Sequence, residues 1–408
     1  RANIEEILGI ARRAGAEAVL CTVAVNLRDC PPFSGQDAIA LYSNACALSA
    51  RGDADNARRT FEAARDFDTL RVRADSGING ILREIGSENR PGVRFADIER
   101  RFQGISKDGI PGDDWFLDHV HFNFAGNYAV ASIVAEAMTG LPFLRGAPLL
   151  EMPTLSGCRD ILMYTVWDEL DLTEMSLQRI RRVPFTGQPG NAARVDALVR
   201  HKKELQDSAR SVDLDELRPH YLDAMRANPV DWFYPCGWGV ILYESGLYEE
   251  SERYLRAALA LAPHRYEYRA ALAMVLGLTG RAHEGVVTIL GRGSNAGFFA
   301  SQYLARTGRL LFECGRPRDA TEFLQTAMRL DPGSARPEQN LAACYVKMGR
   351  LAEAETALRN VLAKQPGNTE ALEDLAVLVV VRGRWDDAEP LFRRAMEQAP
   401  ARPETRLK

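Results

Sequence analysis

The chain has 408 residues, 46% of them hydrophobic and 26% charged, with a formal net charge of -4. That length holds two or three domains with ample core, and the near-neutral balance leaves no basic stripe of the kind a nucleic-acid binder needs. No apolar run approaches the roughly 20 residues of a membrane span, and the seven scattered cysteines form no C-x-x-C pair, so neither a disulfide framework nor a zinc site is expected.

The chain begins with Arg1 rather than Met, inside an amphipathic helical pattern, and reads as the C-terminal part of something longer. Asn3 and Glu6 have capping-box spacing, and Ile4, Ile7, Leu8 and Ala11 recur at helical intervals up to Gly15. Ala18 to Val25 is then a nearly continuous apolar run of strand length, and Val93 to Ile98 is a second. A helix followed by a fully buried strand is the rhythm of a parallel α/β sheet. Between the strands, residues 37–67 carry two helical patterns joined at Gly52-Asp53. Ala57, Phe61 and Ala64 follow Gly52 at offsets of 5, 9 and 12. Polar residues cluster around this insertion. Arg73, Asp75 and Asn79 lie in the segment after it, whose polar groups can orient a substrate, with a surface loop that pairs its own charges as the alternative reading of each; Asn26, after the first strand, joins these candidates only through a family resemblance.

The run Trp115 to Tyr128 contains Asp118-His119-Val120-His121. A carboxylate three residues before an imidazole, on a turn feeding an apolar helix, can hold one ring nitrogen while the other faces outward, as a general base requires. His121 fits this better than His119, whose ring Asp118 cannot easily align from the adjacent position. The structural alternative has Asp118 capping the helix and His121 packed on Trp115. No Gly-x-Ser-x-Gly, Gly-Asp-Ser or Gly-x-Asn-Asp occurs anywhere, so no nucleophile accompanies this pair. A metal site is not expected from the histidine spacing. The arginine run at 179–182, with Asp171 and Glu174 before it, reads as a solvated helix face.

Residues 141–213 form a connector, irregular around Leu141-Pro142-Phe143 and Gly146-Ala147-Pro148 and helical beyond. From about Leu214 to Pro400 the chain is periodic. Gly246, Gly280, Gly315, Gly349 and Gly383 are 34, 35, 34 and 34 residues apart. Prolines fall 17 residues after the glycine at Pro263, Pro332, Pro366 and Pro400, with Gly297 in the remaining slot. Small or apolar residues recur at offsets of 5, 9 and 12, as in Ala354, Leu358 and Ala395. A glycine turn with alanines that admit close helix approach is a helix-turn-helix solenoid unit. The pattern resembles the tetratricopeptide repeat, with the hairpin at Gly52 a stray copy. The repeat from Arg265 to Ala296 is degenerate, with Gly285 and Arg292 replacing the small alanines.

Two resemblances then carry expectations. The Asp118-x-x-His121 turn after a strand and before the last helix resembles the fifth sequence block of SGNH/GDSL hydrolases. Asn26 to Phe33, Arg71 to Asn79 and His121 to Tyr128 resemble a bacterial group joining such a domain to tetratricopeptide repeats. The resemblance implies an α/β fold: residues 1–140 as the C-terminal part of a flavodoxin-like domain with a parallel sheet and a helical hairpin inserted at 37–67, then the connector, then an all-α solenoid over 214–408. It implies His121 as the base and Asp118 as its orienter, acting on an ester substrate only if upstream blocks supply a serine and oxyanion donors. Without them the chain is expected to be inert. Export or membrane attachment would lie with the preceding segment. No cofactor is expected, and the partner is a protein or peptide in the repeat groove. Eight residues after the repeat prolines stand Gly237, Ala271, Asn340 and Asp374, which argues against a peptide-carboxylate clamp. The alternative is a non-catalytic scaffold whose α/β part is structural.

Overall fold

A computed structural model describes residues 1–139, 141, 144, 151–291 and 297–398. The chain divides into two compact units, Arg1–Val212 and Asp213–Lys408.

The first unit opens with α1 (Ala2–Arg13) and β1 (Ala18–Cys21), continues through α2 (Gln36–Ala50), α3 (Ala54–Asp66) and α4 (Ser76–Ser87) to β2 (Val93–Ala96), and then α5 (Ile98–Ile105) and α6 (Phe124–Met138). α7 (Leu155–Ile161), α8 (Val166–Ile180) and α9 (Asn191–Ser211) complete it. The capping box expected at Asn3 is not formed, because the helix already begins at Ala2 and no side chain caps it. Elsewhere starts are built as the side chains dictate. Asp75, Asp97 and Asn123 each accept a backbone N–H at the first turn of α4, α5 and α6.

β1 and β2 pair in parallel, Ala18 opposite Val93 through Cys21 opposite Ala96. Phe95 faces α4 and lies against Gly86, while Ala96 packs with Phe102, Phe116, Ala129 and Ile133 on the α6 side. Helices thus cover both faces, as a parallel pair requires. The sheet stops at two strands among the described residues, and the expected flavodoxin-like sheet is corrected accordingly: the unit is mainly helical. Both strands are also shorter than the apolar runs. Thr22 turns its hydroxyl onto Asp97 at 2.9 Å, and Asp97 starts a helix. The Gly52 hairpin folds as α2 and α3, with Ala57, Phe61 and Ala64 buried.

The second unit is entirely α-helical among its described residues. α10 (Leu214–Ala227) precedes five helix pairs: α11 (Phe233–Glu244) with α12 (Tyr248–Leu261), α13 (Tyr266–Leu278) with α14 (Ala282–Leu290), α15 (Gly297–Glu313) with α16 (Pro317–Leu330), α17 (Arg336–Lys347) with α18 (Leu351–Lys364), and α19 (Thr369–Val381) with α20 (Trp385–Gln398). The recurring glycines sit at the turns with φ between 72° and 81°, the left-handed region that only glycine enters readily. Leu255, Leu324 and Leu358 are buried, as are Ala320, Ala354 and Ala388, so the repeated apolar positions form the spine of a continuous core. The degenerate repeat is locally compensated. A Cβ at Gly285 would lie 2.7 Å from the Phe323 ring, so glycine makes room for an aromatic side chain from the next pair. Arg292, Pro400 and the Pro142 and Gly146 portions of the connector lie outside the described residues. Among those described, no helix is long and apolar enough to cross a membrane.

Replacing the fully buried Ala354 by Leu should lower the unfolding free energy of the second unit by about 1–3 kcal/mol through overpacking. The same change at the exposed neighbour Ala352 should be nearly neutral. Urea denaturation followed by circular dichroism distinguishes the two.

Candidate functional site

Leu117 N–H donates to His121 O at 2.7 Å, and Phe116 bridges Phe122, so the Asp118 segment is a tight turn closed at its base. Asn26 N–H donates to His119 O at 3.1 Å, which fixes the turn beside the chain leaving β1. Inside it Asp118 is fully buried. Its Oδ1 accepts the backbone N–H groups of Val120 and His121, each at 3.0 Å. The His121 ring meets the same carboxylate, with Nδ1 2.9 Å from Oδ2, and the imidazole is half exposed. Asn123, not Asp118, caps α6.

Burial alone would raise the Asp118 carboxyl. The nearby His119 ring, the two backbone amides and the His121 ring outweigh it and hold the group well below the usual carboxylate range. His119 takes a different place. It lies edge-on to Phe33 and Phe185, each with ring centroids 5.4 Å away. Its Nδ1 is 3.1 Å from Asp118 Oδ1 but outside hydrogen-bonding geometry.

Arg179, from α8, also reaches this carboxylate. Its Nη1 donates to Asp118 Oδ2 and lies 2.9 Å from His121 Nδ1. The expected solvated helix face is corrected at this position: Arg179 is a partner of the buried carboxylate. A guanidinium can only donate, so it competes for the oxygen that would orient His121 and favours an unprotonated Nδ1. A base needs the opposite tautomer, with Nδ1–H on the carboxylate and Nε2 free to accept a proton. Asp118, His119 and His121 also have the spacing of a metal-ligand cluster, but Arg179 already brings a cation against two of the three.

The four residues expected to orient a substrate are engaged within the fold. Asn79 is fully buried. Its Oδ1 accepts Val23 N–H at 2.9 Å and its Nδ2 donates to Val23 O at 3.0 Å. Asn26, also fully buried, donates to Asp113 and to Asp118 O and accepts Asp29 N–H. Arg73 donates to the carbonyls of Asn26 and Cys30 and pairs with Asp68. Asp75 caps α4 and meets Arg71. A cavity of about 410 Å³ that reaches Leu117 beside the turn is walled by Asp113, Phe124, Arg159, Tyr164, Ser176 and Arg194 among others. None of the four predicted residues lines it.

Two measurements follow from this geometry. A native carboxyl held below its unfolded value binds its proton later than the unfolded chain does. The stability contributed by Asp118 is therefore present above the ordinary carboxylate pKa and lost as pH falls below it. Asp118→Asn should lower stability at neutral pH and flatten the loss between about pH 5 and pH 2, read by urea midpoints across pH. In Arg179→Met, ¹⁵N NMR should show the His121 ring shifting toward the Nδ1–H tautomer.

Residues 311–370 and 341–403 each match a family model of the tetratricopeptide repeat. Among solved structures the chain is similar to YrrB, described as a TPR protein with an unusual peptide-binding site, at 18% identity over 45% of this chain and 95% of that one, with a TM-score of 0.30. It is also similar to MamA from Desulfovibrio magneticus RS-1, at 19% identity over 42% and 97% of the chains and a TM-score of 0.30. A third is TTC0263, a thermophilic TPR protein in Thermus thermophilus, at 25% identity over 43% and 95% and a TM-score of 0.27. No curated protein sequence matches the chain. Within the second unit, the stretch that matches the tetratricopeptide-repeat models holds the helices from α16 to α20.

Proposed function

We propose that the chain is a non-catalytic scaffold whose repeat array docks a protein or peptide partner and whose first unit has a structural role. The observation that carries this reading is the exposed face of successive first helices. Gln302 and Arg306 on α15, Arg336 and Val346 on α17, and Glu370 and Val377 on α19 stay open to solvent while the opposite faces are buried. A stack of such helices presents an extended concave surface.

A second reading, ester hydrolysis or acyl transfer of SGNH type, rests on the hydrogen-bonded and half-exposed Asp118–His121 pair. It requires a serine and oxyanion donors close to His121. Among the described residues no serine hydroxyl hydrogen-bonds that ring, and removing the nucleophile of a triad costs on the order of a million-fold in turnover.

The scaffold reading expects the 408-residue chain to leave short-chain aryl esters unhydrolysed above background, and expects His121→Ala to bind partner peptides as the parent does. Ester turnover abolished by His121→Ala would make the hydrolase the better reading.

A further inference from the structure

Asn191 donates to Ile180 O at 3.1 Å and Lys202 reaches Glu174 at 2.7 Å, so α8 and α9 run antiparallel beside each other. Positions 169, 172, 173 and 176 of α8 and 194, 197, 198 and 201 of α9 follow the same spacing, that of a helix stripe which ordinarily closes on its neighbour. Here both stripes instead wall the cavity of about 410 Å³, with Phe116, Leu117 and Phe124 completing the wall. Protein interiors are otherwise close-packed, and this volume lies in the range of small-molecule sites.

Two polar groups in the wall are unused. Thr173 and Ser176 are 6% and 2% exposed and line the cavity, and neither hydroxyl hydrogen-bonds another described residue. Helical hydroxyls elsewhere in the chain return to the carbonyl four residues earlier, as those of Thr60, Ser132 and Thr288 do. A hydroxyl held away from water without a partner lowers stability. The charges of the wall, by contrast, are matched. Arg194 pairs with Asp113 at 3.2 Å and Arg159 with Glu169 at 3.1 Å, while His201 lies 3.6 Å from Glu204.

We propose that this cavity binds a small uncharged molecule with an apolar body and one amide or alcohol head, the head bonding Thr173 and Ser176 and the body lying against Phe116, Leu117, Leu172 and Leu198. An ionised ligand would bring in a charge whose natural partners on the wall already hold one another. Water alone would serve the hydroxyls and leave the apolar side chains wet. An uncharged amphiphile satisfies both. The site is separate from the Asp118–His121 pair, neither member of which lines it, and it gives the first unit a ligand beyond the docking role of the repeat array.

The test uses the 408-residue chain and isothermal titration calorimetry with hexanamide, 1-hexanol, hexanoate, hexylamine and acetamide. Hexanamide and 1-hexanol should bind. The two charged analogues should bind more than about tenfold weaker, and so should acetamide, which keeps the head and lacks the body. Thr173→Val with Ser176→Ala should weaken hexanamide about tenfold, the scale of one or two hydrogen bonds. The same pair should leave the urea midpoint of the unliganded chain unchanged or raised, because a hydroxyl without a partner holds nothing together. Ala197→Trp, at an exposed position on the wall, should fill the space and abolish binding of every probe, with circular dichroism checking that the variant is folded. Hexanamide binding that survives both variants overturns the proposal, as does tighter binding of hexanoate or hexylamine. Absence of saturable heat from hexanamide at millimolar concentration overturns it as well, and a lowered urea midpoint in the double variant assigns the two hydroxyls to the fold instead.

Discussion

The extended segment from Thr22 to Ser34 sets the main constraint on the first unit. Its backbone polar groups lie beyond the end of a two-stranded sheet, and no third strand among the described residues is there to bond them. The His119 and Pro111 carbonyls accept the N–H groups of Asn26, Leu27 and Arg28, and side chains do much of the rest. Asn79 satisfies both backbone groups of Val23, Arg73 takes the carbonyls of Asn26 and Cys30, and Asp68 accepts the N–H groups of Phe33 and Ser34. Leaving one such buried group unmatched costs roughly 1–3 kcal/mol. The small sheet and the high density of buried polar side chains are therefore two aspects of one arrangement. Arg65 extends it, bonding Glu99 and Ser76 and tying α3 to the starts of α4 and α5.

The same accounting governs the Asp118 turn. A carboxylate taken fully out of water must be met by donors, and two backbone amides and a guanidinium supply them beside the His121 ring. The bond between Asp118 and His121 alone fits either an oriented base or a satisfied buried acid. Arg179 separates these possibilities, because a base needs the carboxylate to hold its Nδ1–H, and the guanidinium competes for that oxygen. The same contacts that satisfy the buried acid therefore draw on the oxygen that an oriented base would use.

The repeat array was legible in the sequence because its constraint is local and recurs. Each glycine must turn left-handed, each small residue must admit a neighbouring helix, and a period near 34 brings both back in phase. The parallel pairing of the two strands was legible from the helix–strand rhythm, whereas the size of the sheet was not, since an apolar run does not say how many partners it will find. The Asp118–His121 contact was visible because it spans three residues. Arg179 was hidden because it arrives from 61 positions away, on a run whose acidic neighbours gave it an adequate local explanation. Asn26, Arg73 and Asn79 pose a related ambiguity. Polar residues beside a strand end suit a ligand and a frame equally well, and only burial distinguishes the two.

That distinction also separates the two units as places to look for recognition. In the first, polar groups are concentrated where solvent cannot reach, and their bonding capacity is consumed by the backbone. In the second, the core is built from alanine and leucine with little polar content, so charge on the helix faces is not needed to hold the fold. Part of it is nonetheless paired within the chain, as around Glu355.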